Sequence, residues 1–142
     1  MTCLTPAQIE SHLESARIPL RLACADSSGH PLVLSLWYVW FEEALWCATS
    51  PRARVVHRLR REPRCGFEVA GDIPPYRGVR GRGRADLIPE RGAEILSALV
   101  DRYLGTTDSK FARWLLARGP LEVAIRIEPE QLSSWDFTER MQ

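Results

Sequence analysis

The chain is nearly without lysine. Of its 19 basic residues 18 are arginine, and Lys110 stands alone. Histidine is also scarce, with only His12, His30 and His57, which leaves little room for a histidine-based active site. No Ser-His-Asp order, nucleophile elbow, Walker loop or dinucleotide glycine motif is present. Gly81-Arg82-Gly83 lies in a strand pattern with no helix close behind, so it is not a phosphate-binding glycine turn. No apolar run reaches the roughly 18 residues that a membrane span needs; the longest, near Leu32–Phe41, is interrupted by Ser35. The first 17 residues carry Glu10, His12 and Glu14 where a signal peptide would be apolar. Cys3, Cys24, Cys47 and Cys65 never take metal-site or redox spacing. Three of them lie in apolar stretches, which reads as buried, reduced thiols in a cytoplasmic protein. No repeat or low-complexity linker interrupts the chain.

What is present is one domain's worth of sequence. The 142 residues are 45% hydrophobic and 26% charged, a globular balance. The net charge of +1 hides an asymmetry. From Arg52 to Arg84 ten arginines face only Glu62, Glu68 and Asp72, a local excess of +7, so the rest carries −6.

The local patterns predict their elements directly. Thr5-Pro6-Ala7-Gln8 is a capping box before a short helix to Arg17. Leu20–Ala25 alternates as a strand, and Asp26-Ser27-Ser28-Gly29 turns it. Leu32–Phe41 reads as one long central strand, Glu42-Glu43 as its turn, and Leu45–Thr49 as the return. Ser50-Pro51 reads as a helix start, with Val55, Val56 and Leu59 as the buried stripe. Cys65–Ala70 and the glycine-interrupted Tyr76–Leu87 read as further strands, the glycines marking bulges. Leu96, Leu99, Val100, Tyr103 and Leu104 follow a helical period closed by Gly105. Asp108 caps a last helix with Phe111, Trp114 and Leu115 inward, and Leu121–Ile127 is the final strand. The sum is α+β and mainly β: a six-stranded antiparallel barrel with short flanking helices.

Three segments could carry chemistry. In Thr49-Ser50-Pro51-Arg52-Ala53-Arg54, a strand ends in two hydroxyls and runs into a helix N-terminus, where free N–H groups and the helix dipole favour an anion. Arg52 and Arg54 could add charge-assisted forks to a phosphate; an ordinary cap with solvated arginines is the alternative. Second, Arg80, Arg82 and Arg84 share one strand face, a ladder for an anionic ligand, a nucleic-acid backbone or a partner's carboxylates. RGG-type RNA-binding segments lack core residues, whereas Val79 and Ala85-Asp86-Leu87 embed this one in structure. Third, Ser35-Leu36-Trp37-Tyr38-Val39-Trp40 concentrates aromatics that either fill a core or wall a flat ligand. With so few catalytic side chains, chemistry here would fall to a bound cofactor.

The ordered pieces Gly29–Tyr38, Leu45–Thr49, Ala53–Arg64, Tyr76–Ala85 and Ala124–Pro129 together resemble the pyridoxamine 5′-phosphate oxidase-like, flavin-binding split-barrel superfamily, over roughly Arg17 to Phe137. The resemblance implies a split-barrel homodimer with FMN at the subunit interface. It implies the phosphate at Thr49, Ser50 and Arg54, with Arg52 close by, and the isoalloxazine along Ser35, Leu36, Trp37 and Tyr38. It also implies hydride transfer through the flavin N5 to or from a small-molecule substrate. Many members carry lysine at the phosphate position; Arg54 is nearest here. Ser35 and Trp37 stand where the oxidase has basic second-strand residues, and the chain stops at Gln142, so pyridoxamine phosphate oxidation is not expected. The deazaflavin F420 is the alternative cofactor, its acidic tail suiting Arg80, Arg82 and Arg84. Haem or biliverdin, with His57 as the axial candidate, ranks below it. A non-catalytic ligand-binding dimer and a nucleic-acid-binding barrel are the rivals from other classes. The short basic segment suits one small phosphate-bearing ligand better than a polymer.

Overall fold

The computed structural model describes residues 2–142. Helix α1 (Pro6–Ser15) opens on the expected capping box: the Thr5 hydroxyl accepts from the Gln8 N–H, and the Gln8 side chain accepts from the Thr5 N–H. Strands β1 (Leu20–Ala25) and β2 (Pro31–Leu36) form a hairpin. Its turn is held by the Asp26 carboxylate, which accepts from the Ser28 and His30 N–H groups. β3 (Val39–Phe41) and β4 (Ala44–Thr49) form a second hairpin over Glu42 and Glu43, both at positive φ, the geometry that a two-residue hairpin loop demands. Then follow α2 (Arg54–Arg61), β5 (Arg64–Ala70), β6 (Arg77–Ile88), α3 (Gly92–Leu104), α4 (Lys110–Leu116) and β7 (Val123–Asp136).

The sheet has seven strands in the order β2-β1-β5-β6-β7-β4-β3, every pairing antiparallel. The expected six become seven because Leu32–Phe41 is not one strand. It breaks at Trp37-Tyr38, and its halves lie at opposite edges of the sheet. Two residues of extended chain span only about 7 Å, so the two edges must come close, and the sheet curls into a barrel split between β2 and β3. The central strand expected over Leu32–Phe41 is therefore two edge strands, joined by a short strap.

The strap is held by side chains distant in sequence. Tyr38 is fully buried, and its hydroxyl donates to the Leu13 carbonyl at 2.8 Å. Its N–H donates to the Tyr103 hydroxyl, which donates in turn to the Ile18 carbonyl at 2.9 Å. Trp37 stacks on Tyr103 at 4.9 Å with 6° between the rings. The Arg102 guanidinium donates to the carbonyls of Leu13, Glu14 and Ala16 and lies over the Tyr38 ring. The end of α3 thus staples the strap to the end of α1.

Inside the barrel, Leu20, Leu22, Leu45, Phe67, Val79, Ile125 and Ile127 meet Leu13 of α1 and Val55, Val56 and Leu59 of α2. Cys24, Cys47 and Cys65 are buried there as free thiols, while Cys3 is exposed. Burial pushes the Cys65 thiol up to about 12 and the Cys47 thiol up as well; both are core groups without thiolate reactivity. On the other face of β4, Ala44 and Trp46 pack against Ile95 and Leu99 of α3. β4, rather than β2, is the strand covered on both sides.

Several boundaries follow the sequence patterns closely. Gly105 closes α3 at φ +69°. The register slips between Arg82 and Gly83, the expected bulge, and any side chain at Gly83 would collide with the Glu128 carbonyl. Other boundaries differ. β7 runs on to Asp136 because the whole of β6 offers it a partner. Ser109, not Asp108, caps α4, its hydroxyl accepting from the Ala112 N–H. Ala112, Leu115 and Leu116 face inward there, while Phe111 and Trp114, expected inside, are 53% and 56% exposed. A seven-residue helix lying on α3 can bury only one narrow stripe.

Glu122 is the one carboxylate buried in the described structure, 3.7 Å from Arg118. Burial raises its pKa, with Arg118 opposing. The folded protein therefore holds that proton more tightly than the unfolded chain. The resulting stability is complete below the ordinary glutamate range and is lost as pH rises through the raised value. Glu122→Gln is expected to raise the urea midpoint at neutral pH and to leave it unchanged in acid. Equal midpoints at neutral pH would mean that Arg118 offsets the burial fully.

Candidate functional site

Trp37 lies in the strap between β2 and β3, and Ala48 lies near the end of β4. Both side chains pack against the same apolar cluster. The strap and the end of β4 therefore meet on the cluster around Trp46, Ile95 and Leu99. Ser35 precedes Trp37 on the outer face of β2, while Thr49 ends β4 and Ser50 follows it.

Past Ser50 the chain makes one turn, in which the Ser50 carbonyl accepts from the Ala53 N–H and its hydroxyl accepts from the Arg52 N–H at 3.2 Å. The helix starts only at Arg54, with Ala53 as N-cap and no side chain capping it. Ser50 is therefore not the N-cap. Its hydroxyl holds the turn, and the positive end of α2 is left to other acceptors. Arg52, Arg54, His57, Arg58, Arg60 and Arg61 line an open cleft of about 550 Å³ along this helix. Among the described residues none of these five arginines has a carboxylate within 4.0 Å, whereas Arg80, Arg91 and Arg126 are each paired. Uncompensated guanidinium groups beside an uncapped helix start fit a phosphate well.

The other expected site residues divide. Ser35 is exposed on the outer barrel face, while Leu36 turns into the core. Trp37 is half-buried against Tyr103. The Tyr38 ring is fully buried and belongs to the strap, so it has no face for a ligand; burial also pushes its hydroxyl pKa upward. Arg80 and Arg82 project from the outer face of β6, away from the α2 cleft. Arg80 is neutralised by Glu68 at 2.8 Å and lies over the Trp135 ring at 4.6 Å. His57 stands among guanidinium groups, without the apolar walls that a porphyrin face needs. Sequence reasoning missed Arg102 and Tyr103, whose bonds to the strap shape the split. Their signal was a charged and an aromatic residue side by side at the end of a helix, which is common on any surface.

Residues 6–136 match the sequence profile of pyridoxamine 5′-phosphate oxidase. The chain belongs to this family. The family member described here is 26% identical to the conserved hypothetical protein Rv2991 of Mycobacterium tuberculosis, over 94% of its own length and 85% of that chain, with a TM-score of 0.80. It is 25% identical to an F420 reductase, over 91% and 98% of the two chains, with a TM-score of 0.76. It shares its fold with HutZ, the heme storage protein of Vibrio cholerae, at 18% identity, 94% and 97% coverage and a TM-score of 0.69. No curated protein matches it in sequence. No helix among the described residues is long and apolar enough to cross a membrane.

Proposed function

We propose that this family member is a redox protein that holds a phosphate-bearing flavin or deazaflavin near the split between β2 and β3. The observation that carries the proposal is the cleft of arginines without carboxylate partners that runs along α2 from its uncapped start. Arg52 and Arg54 bind the phosphate, and the dipole of α2 adds to their attraction. Ser35 and the edge of Trp37 border the ring, and Tyr103 fixes the indole by stacking. Such a cofactor supplies hydride transfer at its ring; the chain supplies orientation and a boundary against water. The family resemblance favours FMN. The likeness to an F420 reductase supports the deazaflavin, and the run of free guanidinium groups along α2 suits its acidic tail. The substrate is a small molecule.

The split is open to solvent in one chain, and we infer that a second copy covers it in a homodimer. Trp46 alone of the five tryptophans is fully buried, and Val33 and Trp114 lie more than half exposed, more apolar surface than an isolated chain of this size usually shows. The free thiols suit a reducing compartment such as the cytoplasm.

Titration of the purified protein with FMN and with F420, followed by visible absorption and fluorescence quenching, tests the cofactor. Saturable binding of either, by a species of dimer mass in light scattering, is the expected result. No spectral response to either ligand overturns the reading.

A further inference from the structure

At its β3 edge the barrel holds a cavity that uses neither α2 nor the outer face of β2, β1, β5 and β6. β7 pairs with β4 only as far as Ile127, but with β6 as far as Asp136. Beyond Ile127 it therefore parts from the β3–β4 hairpin and leaves a gap. α1 lies across that gap and is tied at both ends. Just before it, the Leu4 N–H donates to the Ser134 hydroxyl of β7 at 2.9 Å. Near its far end, the Leu13 carbonyl accepts from the Tyr38 hydroxyl of the strap.

Between the ties a cavity of about 420 Å³ remains, lined by Pro6, Ile9, Glu10, Trp40, Glu43 and Leu132. Pro6, Ile9 and Glu10 fall at the i, i+3, i+4 spacing of one helix face. Trp40 stands opposite Leu45, and Leu45 opposite Ile127. All three belong to the interior cluster, as does Ile9, so the indole and Ile9 form a packed apolar wall. Glu10 and Glu43 bring the only charges, and no basic side chain lines the cavity. Among the described residues neither carboxylate has a basic partner. The two glutamates of the hairpin turn divide here: Glu42 pairs with Arg91 at 3.1 Å, while Glu43 joins the cavity.

We propose that this cavity binds a small amphipathic amine, with its ammonium at Glu10 and Glu43 and its apolar body against Trp40, Ile9 and Leu132. An ammonium brings only donors and a carboxylate only acceptors, so the two sets match. The face of an indole attracts a cation as well, and burial of the apolar body supplies the remaining attraction. A metal ion fits less well, since a hard cation takes six or so oxygen ligands and the described residues hold no group of three or more side chains that could ligate one. Glu43 lies at the turn end of β4, about 17 Å along the strand from Thr49. The site is therefore separate from the phosphate cleft and holds whether or not α2 takes a flavin.

Isothermal titration at neutral pH with 2-phenylethylamine, there an ammonium, and with its neutral analogue 2-phenylethanol tests the assignment. The amine is expected to bind at one site per chain about ten-fold more tightly than the alcohol. Glu10→Gln and Glu43→Gln are each expected to weaken the amine about three- to five-fold, the scale of one exposed ion pair, and to leave the alcohol unchanged. Glutamine keeps the size of the side chain at an exposed position, so both variants retain the fold. Glu42→Gln removes the same charge one residue away and is expected to change nothing. Equal binding of amine and alcohol overturns the proposal, as does an unchanged amine affinity in the Glu10→Gln, Glu43→Gln double variant. A loss in Glu42→Gln as large as that in Glu43→Gln also overturns it and reduces the effect to the general field of the hairpin. Displacement of the amine by FMN overturns it too and places the amine in the cofactor site. Amine binding retained in a protein that takes no FMN would support this site and count against the flavin alone.

Discussion

Arg102→Ala is expected to cost about 2 kcal/mol of folding stability, the scale of part-buried bonds from a charged donor. The guanidinium joins three carbonyls, those of Leu13, Glu14 and Ala16, while lying over the rings of Tyr38 and Tyr103. The last residues of α1 have no other donor of this reach, because their carbonyls face the strap rather than the next helical turn. Without it the Glu14 carbonyl is left to water, and the hydroxyl of Tyr38 serves the part-buried carbonyls of Leu13 and Ala16 alone. The effect extends beyond stability, since the strap sets how closely β2 approaches β3. Arg102→Lys restores the charge but not the fork, and is expected to recover only part of the loss. Urea denaturation of the three proteins measures both differences. An Arg102→Ala midpoint equal to the native one would show that the barrel closes without this staple.

The second large effect is on binding. Arg54→Ala is expected to raise the Kd for FMN about ten-fold or more, and Arg52→Ala with Arg54→Ala about a hundred-fold, at 1.5–3 kcal/mol for each charge-assisted bond. Riboflavin, which lacks the phosphate, is expected to bind all three proteins alike. The contrast separates a phosphate contact from general damage to the fold, which would weaken both ligands together. The difference should shrink as salt rises, since the cleft is open and its charges are screened. Equal losses for FMN and riboflavin would remove Arg52 and Arg54 from the phosphate site. Retained FMN affinity in the double variant would move the site elsewhere on α2, towards Arg58, Arg60 and Arg61.

Much of this molecule is legible in its sequence because its elements are local. The capping box at Thr5, the turn at Asp26–Gly29 and the glycine stop at Gly105 each depend on residues within four positions of one another. Alternation placed Leu20, Leu22 and Cys24 in the core and Arg21 outside it, since a strand has no other way to present its side chains. The arginine excess was visible by counting, and so was the strand-to-helix junction at Thr49–Arg54 that directs it.

The strap at Trp37-Tyr38 was not legible. Its aromatic residues continue the pattern of β2 without a break, and no glycine or proline marks the change of direction. The chain leaves the sheet there because Leu13, Ala16, Arg102 and Tyr103, from 22 to 65 positions away, offer Tyr38 better partners than a neighbouring strand would. The same holds for Phe111 and Trp114, whose helical period is real but whose inward face was decided by the groove that α3 left open. Local pattern was enough to mark most strands and helices, and counting was enough to locate the arginine excess between Arg52 and Arg84. Long-range packing settled which strands become edges, where those edges meet, and which arginines find carboxylates. Those outcomes depend on contacts between distant segments, and local preference carries no information about them.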